Sequence, residues 1–184
     1  EDVDVVIELL SYADYSQLDE KLRAIGFIND IESGVICRYR IEGIVVDIMP
    51  TTSDAIGFSN KWYPDGFKHA IQYAIDEDNL IAIFSLPYFI ATKLEAFRSR
   101  GKSDYRFSSD FEDIVYVLEN AENLFEKLND VSDKLRNYLV NEFNLLLADP
   151  DFKEGLHAHL EFKTAQFKSK EIVNILTELA NSSD

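Results

Sequence analysis

Glu1-Asp-Val-Asp-Val-Val-Ile-Glu8 and Ile44-Val-Val-Asp-Ile-Met49 are two short runs rich in Val and Ile, and each carries aspartate inside or against its apolar residues. Both are too short to make a helix of their own and read as strands. Successive side chains of a strand alternate between faces, so Asp2 and Asp4 are expected to point the same way, about 6.5–7 Å apart. Carboxylates held that close repel one another, which costs stability unless a cation sits between them. Strand interiors are depleted in Asp, so finding it beside Val3, Val5, Val6 and Ile7, and again beside Val45, Val46 and Ile48, asks for a reason. With 34 acidic residues in 184, an Asp-x-Asp alone is a weak signal, since most such pairs are solvated strand ends. If a neighbouring strand brings Asp47 beside Asp2 and Asp4, three hard oxygen ligands converge, a set suited to Mg²⁺ rather than zinc. Phosphoryl and nucleotidyl transfer call for that metal-holding arrangement.

Outward from these runs, Tyr15–Ile25 carries Leu18, Leu22 and Ile25 at helical spacing and closes on Gly26. Val35–Ile41 and Ile44–Met49 predict a hairpin about Glu42-Gly43, ended by Pro50 and Thr51-Thr52-Ser53. Mixed helix and strand signals fill 56–76, and Leu80–Phe84 reads as a further strand. Pro87 falls in the first turn of a helix that runs to Arg100, where Gly101 stops it. From Ser108 the pattern is helical throughout. Ser109 is expected to cap a helix, with Glu112 at capping-box spacing. Leucines from Leu118 to Leu146 continue apolar faces until Pro150, and Ile172, Ile175, Leu176 and Leu179 mark a last helix. The predicted fold class is α+β, a small mixed β-sheet with flanking helices followed by a helical C-terminal half. Residues 1–104 are expected to form the α/β core and 105–184 the helical region.

A chain with 46% hydrophobic residues can bury a real core. Its formal charge of −16 argues against a general nucleic-acid binder, though local Lys and Arg can still serve a nucleotide. Cys37, the single cysteine, has no partner for an internal disulfide and reads as a small buried hydrophobe, in keeping with a cytoplasmic location. No apolar run reaches the ~18 residues of a membrane span, so no membrane partner is expected. The chain opens on Glu1 rather than Met and inside a strand-like run, so residues upstream are expected.

A second constellation lies in Ala91-Thr-Lys93-Leu-Glu-Ala-Phe-Arg98-Ser-Arg100-Gly-Lys102. Lys93 sits in an apolar helical start, where a packed stem would aim its ammonium at an anion. An isolated lysine is more often a surface residue. Asp110 and Asp113 share a face of the next helix at i, i+3 and could reach back to Lys93. Asp110 near a helix N-terminus is favourable for the dipole alone. Arg98, Arg100, Lys102 and Arg106 are the densest basic cluster in view, and read more naturally as exposed than as functional. His69, His157 and His159 are too scattered for a zinc site or a catalytic triad.

Taken in order, Asp2-Val-Asp4, Val46-Asp47-Ile-Met-Pro50, Ala91-Thr-Lys93-Leu-Glu-Ala96 and the run Arg100-Gly-Lys-Ser-Asp104 to Ser109-Asp-Phe-Glu-Asp113-Ile resemble the nucleotidyltransferase superfamily with the DNA polymerase β-like palm. Within it the chain looks most like the AbiEii/AbiGii toxin-type family. The resemblance covers roughly the first two-thirds of the chain. It implies an NTP substrate, Mg²⁺ held by Asp2, Asp4 and Asp47, and transfer of an NMP to an acceptor hydroxyl on RNA, protein or a small molecule. In that reading Asp47 completes the metal site or acts as base, Lys93 neutralises triphosphate charge, and Asp110 or Asp113 orients Lys93 or the acceptor. It further implies the toxin half of a toxin–antitoxin pair, with an antitoxin as partner. The family's Gly-Ser turn, whose backbone N–H groups cradle the phosphates, would lie upstream of Glu1. A catalytically silent interaction module of the same fold and a metal-dependent phosphohydrolase are the competing readings.

Overall fold

The computed structural model of the chain describes residues 2–53, 55–100 and 104–182. The fold is mixed α+β, and it divides into two compact units, Glu1–Ala70 and Ile71–Asp184. In the first unit a four-stranded sheet has the order β1-β4-β3-β2, with β1 Asp2–Ile7, β2 Ile28–Asn29, β3 Arg38–Ile41 and β4 Ile44–Pro50. β1 runs parallel to β4, while β3 is antiparallel to both β4 and β2. The expected hairpin is present. Glu42 and Gly43 both adopt positive φ, 50° and 86°, the backbone of a two-residue turn whose twist matches its strands. β3 begins at Arg38 rather than at Val35, because the chain turns first through a short 3-10 segment, Ile31–Ser33, and left-handed Gly34.

Helix α1, Tyr12–Ala24, starts where Ser11 accepts a hydrogen bond from the Asp14 amide. Its Leu18 and Leu22 pack on Tyr39, Val46, Ile48, Ile7 and Ile41, which closes one face of the sheet. In β4 the buried positions are Val46, Ile48 and Pro50, so Val45, Asp47 and Met49 alternate onto the opposite face. Helix α2, Tyr63–Lys68, completes this unit. The carboxylates therefore stand on the side of the sheet that α1 does not cover.

The second unit opens with a hairpin of β5, Ile71–Ala74, and β6, Leu80–Ile83. Helices follow: α3 Leu86–Arg100, α4 Ser109–Asn120, α5 Leu124–Asn129, α6 Asp133–Ala148, α7 Phe152–His159 and α8 Ala165–Asn181. Phe97, Tyr105, Phe111 and Phe152 form an aromatic centre with ring centroids 4.9–6.2 Å apart. The unit boundary falls between Ala70 and Ile71, not after residue 104. The reason is the burial of α3: Ile90, Ala91, Leu94 and Phe97 sit in the core made with α4, α5 and α6. A second difference concerns the α4 cap. Ser108, not Ser109, accepts from the Phe111 amide, which moves Glu112 out of capping-box register. Gly101, expected to stop α3, lies outside the described residues.

Candidate active site

The parallel register sets Asp4 of β1 directly opposite Asp47 of β4, and the antiparallel register sets Asp47 opposite Arg38 of β3. Residues paired in register share a face, and neighbouring strands lie about 4.8 Å apart. Asp4, Asp47 and Arg38 thus form one row across three strands. Asp2 lies two positions before Asp4 in β1, and its side chain is outside the described residues. Arg38 holds Asp47 with two parallel bonds: Nε donates to Oδ1 and Nη2 to Oδ2, each at 2.7 Å. Such fork-to-fork pairing is the strongest form of side-chain ion pair. Asp47 is half-buried and Asp4 is exposed, so the row opens to solvent at its β1 end.

Arg38 was not among the residues singled out from the sequence, yet the signal was there. A two-residue turn at Glu42-Gly43 pairs Ile41 with Ile44 and so fixes Arg38 against Asp47. Cys37 is buried, as expected, and its thiol is pushed up to about 11, chiefly by burial and then by the Asp47 charge.

Beneath the other face, the Tyr39 hydroxyl donates to Asp19 at 2.9 Å and lies 3.1 Å from the Tyr15 hydroxyl. Burial raises the Tyr39 phenol far above its ordinary range, and its bonds to Tyr15 and Asp19 add to the shift. Burial alone would raise the Asp19 carboxyl, but hydrogen bonds from Asn29 and Tyr39 hold it below its ordinary 3.8. Every polar atom named here has a partner inside the fold, so the network ties α1 to the sheet.

The second constellation assembles within the other unit. Lys93 of α3 is 17% exposed at its side chain; its Nζ lies 2.6 Å from Asp113 Oδ2 and 3.8 Å from Asp110 Oδ1. The sequence-expected reach of Asp113 back to Lys93 is therefore present. Asp110, 3% exposed, also accepts two bonds of 2.8 Å from Arg100. Two cations and two carboxylates thereby join α3 to the first two turns of α4. The Lys93 ammonium also stands 5.6 Å from the centre of the Phe89 ring.

The expected basic cluster is engaged internally. Arg98 Nε donates to Glu142 at 2.9 Å, Arg100 is bound to Asp110, and Arg106 pairs with Glu154. Lys102 lies outside the described residues. The histidines stay apart: His69 Nδ1 lies 2.7 Å from the Asp65 carbonyl and His159 Nε2 lies 2.8 Å from that of Tyr105. His159 thus anchors the loop before α4, a structural task that its sequence context did not reveal.

Among the described residues no three His, Cys, Asp or Glu side chains gather as a ligand set. Mg²⁺ commonly takes only one or two carboxylates and fills its shell with water and substrate phosphates. Arg38 already shows that the row draws positive charge to Asp47. Compared with known proteins, the chain matches no family model, no curated protein and no solved structure.

Proposed function

We propose that the chain is a Mg²⁺-dependent nucleotidyltransferase of the AbiEii/AbiGii toxin type, with the β-sheet as its palm. The observation that carries this reading is the in-register pairing of Asp4 with Asp47 on the face that α1 leaves open. Two strand-borne carboxylates side by side are costly by themselves and become favourable when they share a divalent cation. Asp4 and Asp47 would hold Mg²⁺, with Asp2 as a third ligand from the same strand. When bound, that ion neutralises triphosphate charge and the charge developing on departing pyrophosphate. Asp47 would also accept the proton of the acceptor hydroxyl, for which it must leave the Arg38 fork. Lys93, the phosphate-neutralising residue in the resemblance, is held by Asp113 and Asp110 within the second unit.

The bidentate hold of Arg38 on Asp47 also favours a second reading, a catalytically silent module in which the guanidinium permanently fills the cation's place. One experiment separates the two. The protein is incubated with Mg²⁺ and each α-labelled NTP in turn, with cell extract as acceptor source. The nucleotidyltransferase reading expects label on RNA, protein or a small molecule, with pyrophosphate released and both lost in Asp47→Asn. Inorganic phosphate without transferred label would mean a phosphohydrolase. No label and no released phosphate or pyrophosphate would establish the silent module.

A further inference from the structure

Every residue from Ile71 to Ala82 is exposed, and this run is the β5–β6 hairpin. The two strands pack chiefly on each other rather than on the helices of their unit. Ile71, Tyr73, Ile75, Leu80 and Ile81 nevertheless show 41–68% of their surface to water. A lone two-stranded hairpin is at best marginally stable in water. Exposed edge strands are normally blunted by Lys, Pro or a bulge. β5, Ile71-Gln-Tyr-Ala74, and the Ile75 that follows it carry no Pro and no charge, and the ladder runs without a bulge.

The ladder turns alternate residues of β5 in opposite directions. Ile71 pairs with Ile83 and Tyr73 with Ile81, and the Ile75 amide donates to the Asn79 carbonyl at 2.9 Å. Hydrogen-bonded pairs recur at every second residue of an antiparallel ladder, so Ile71, Tyr73 and Ile75 bond towards β6. The N–H and C=O groups of Gln72 and Ala74 then point away from it. Paired residues share a face, which gathers Ile71, Tyr73, Ile81 and Ile83 on one side of the hairpin.

We propose that β5 pairs antiparallel with β5 of a second copy of this chain, about a two-fold axis at Tyr73, giving a four-stranded sheet of order β6-β5-β5-β6. The sequence around Tyr73 complements itself. Ile71 falls opposite Ile75, Gln72 opposite Ala74 and Tyr73 opposite its own copy, so Gln72 and Ala74 exchange their outward bonds. The apolar residues stay on one face, where Ile71 packs beside Ile75 and the two tyrosines beside each other. Charge agrees with shape. Lys68 lies five places before Tyr73 and Asp78 five places after it, beside Asp76 and Glu77. Antiparallel pairing directs the cationic flank of each copy at the acidic turn of the other, whereas parallel pairing sets acid against acid. β6 offers no such match, because its acidic flank would meet Phe84-Ser85-Leu86. A two-fold contact uses the same patch on both copies and closes at a dimer. The proposal is independent of nucleotidyl transfer.

Sedimentation velocity of the whole chain over a concentration series reaching about 200 µM, where small interfaces associate, tests it. A concentration-dependent dimer is expected. Gln72→Pro removes an outward N–H and leaves the β5–β6 ladder its bonds, and should raise the dimer dissociation constant tenfold or more. Tyr73→Lys sets like charges opposite each other on the axis and should do the same. Circular dichroism confirms that the variants stay folded. Lys68→Glu should weaken the dimer and Lys68→Glu/Asp78→Lys restore it. A monomer at every concentration overturns the proposal and leaves β5 to a strand of another protein. A folded Gln72→Pro that dimerises as the parent does overturns it as well. So does a double exchange that remains as weak as Lys68→Glu.

Discussion

Arg38 decides how the carboxylate row behaves, because it supplies the only cation seen on Asp47 among the described residues. Arg38→Gln removes two charge-assisted bonds and leaves Asp4 beside Asp47 without that counter-charge. The cost should be about 1.5–3 kcal/mol. A divalent ion that replaces the lost charge would restore stability by mass action, so Mg²⁺ should raise the melting temperature of Arg38→Gln more than that of the parent. Thermal melts with and without Mg²⁺ read this directly, and indifference of both proteins would remove the metal role from Asp4 and Asp47. Next door, Cys37 has its thiol raised from 9.0 to about 11 by burial and by Asp47. A raised value favours the neutral thiol, so its contribution to stability is present below pH 9 and is lost as pH climbs through about 11. Native protein at about pH 8, where even a free thiol is only partly ionised, should resist iodoacetamide at Cys37. The same protein in urea should be alkylated readily.

Among elements, the α3–α4 junction is a charged seam of the second unit. Lys93→Ala leaves Asp113 without its 2.6 Å partner and, among the described residues, leaves Asp110 with Arg100 alone. The loss should be about 1–2 kcal/mol, measured by urea unfolding. Lys93 ties two helices together whatever else it does. A neighbouring seam is steric. A Cβ added at Gly155 of α7 would run into the Tyr105 Cβ and crowd Phe111. Gly155→Ala should therefore cost about 1–3 kcal/mol despite its better helix propensity, and the same melts will show it. Much of this level was legible in advance. Apolar periodicity located β1, α1, the Glu42-Gly43 hairpin, β6, α3 and the closing helix, because those signals are local. The α4 cap slipped by one residue since Ser108 and Ser109 are chemically equal, and only the backbone decides which hydroxyl meets the Phe111 amide. Asp47 could be chosen from its apolar flanks, whereas Arg38 required the strand register, and the α3 packing partners are long-range facts that no local pattern holds. His159 was unreadable for the same reason, its partner being 54 residues away.

For the molecule as a whole, the division between Ala70 and Ile71 has thermodynamic consequences. Residues 71–184 own a complete interior: α3 to α8 contribute Leu94, Phe97, Phe111, Leu135, Phe143, Phe152, Leu156 and Leu176, all nearly inaccessible. Residues 1–70 bury much less. Their interior is Leu22, Tyr39, Val46 and Ile48 with a smaller group at Leu9, Tyr15 and Ala55, and β1 leaves Val3 and Val5 partly exposed on the core side. A chain of about 70 residues with one small core is of marginal stability. The 71–184 fragment expressed alone should therefore show helical circular dichroism and a single cooperative melt. The 1–70 fragment should melt at lower temperature, or gain cooperativity only when a cation settles the Asp4–Asp47 pair. Comparing the two fragments with the whole chain by calorimetry checks this division. A 71–184 fragment that is unfolded would show that its helices depend on the sheet unit, and a 1–70 fragment as stable as the whole would place the burden of stability on the carboxylate-bearing sheet instead.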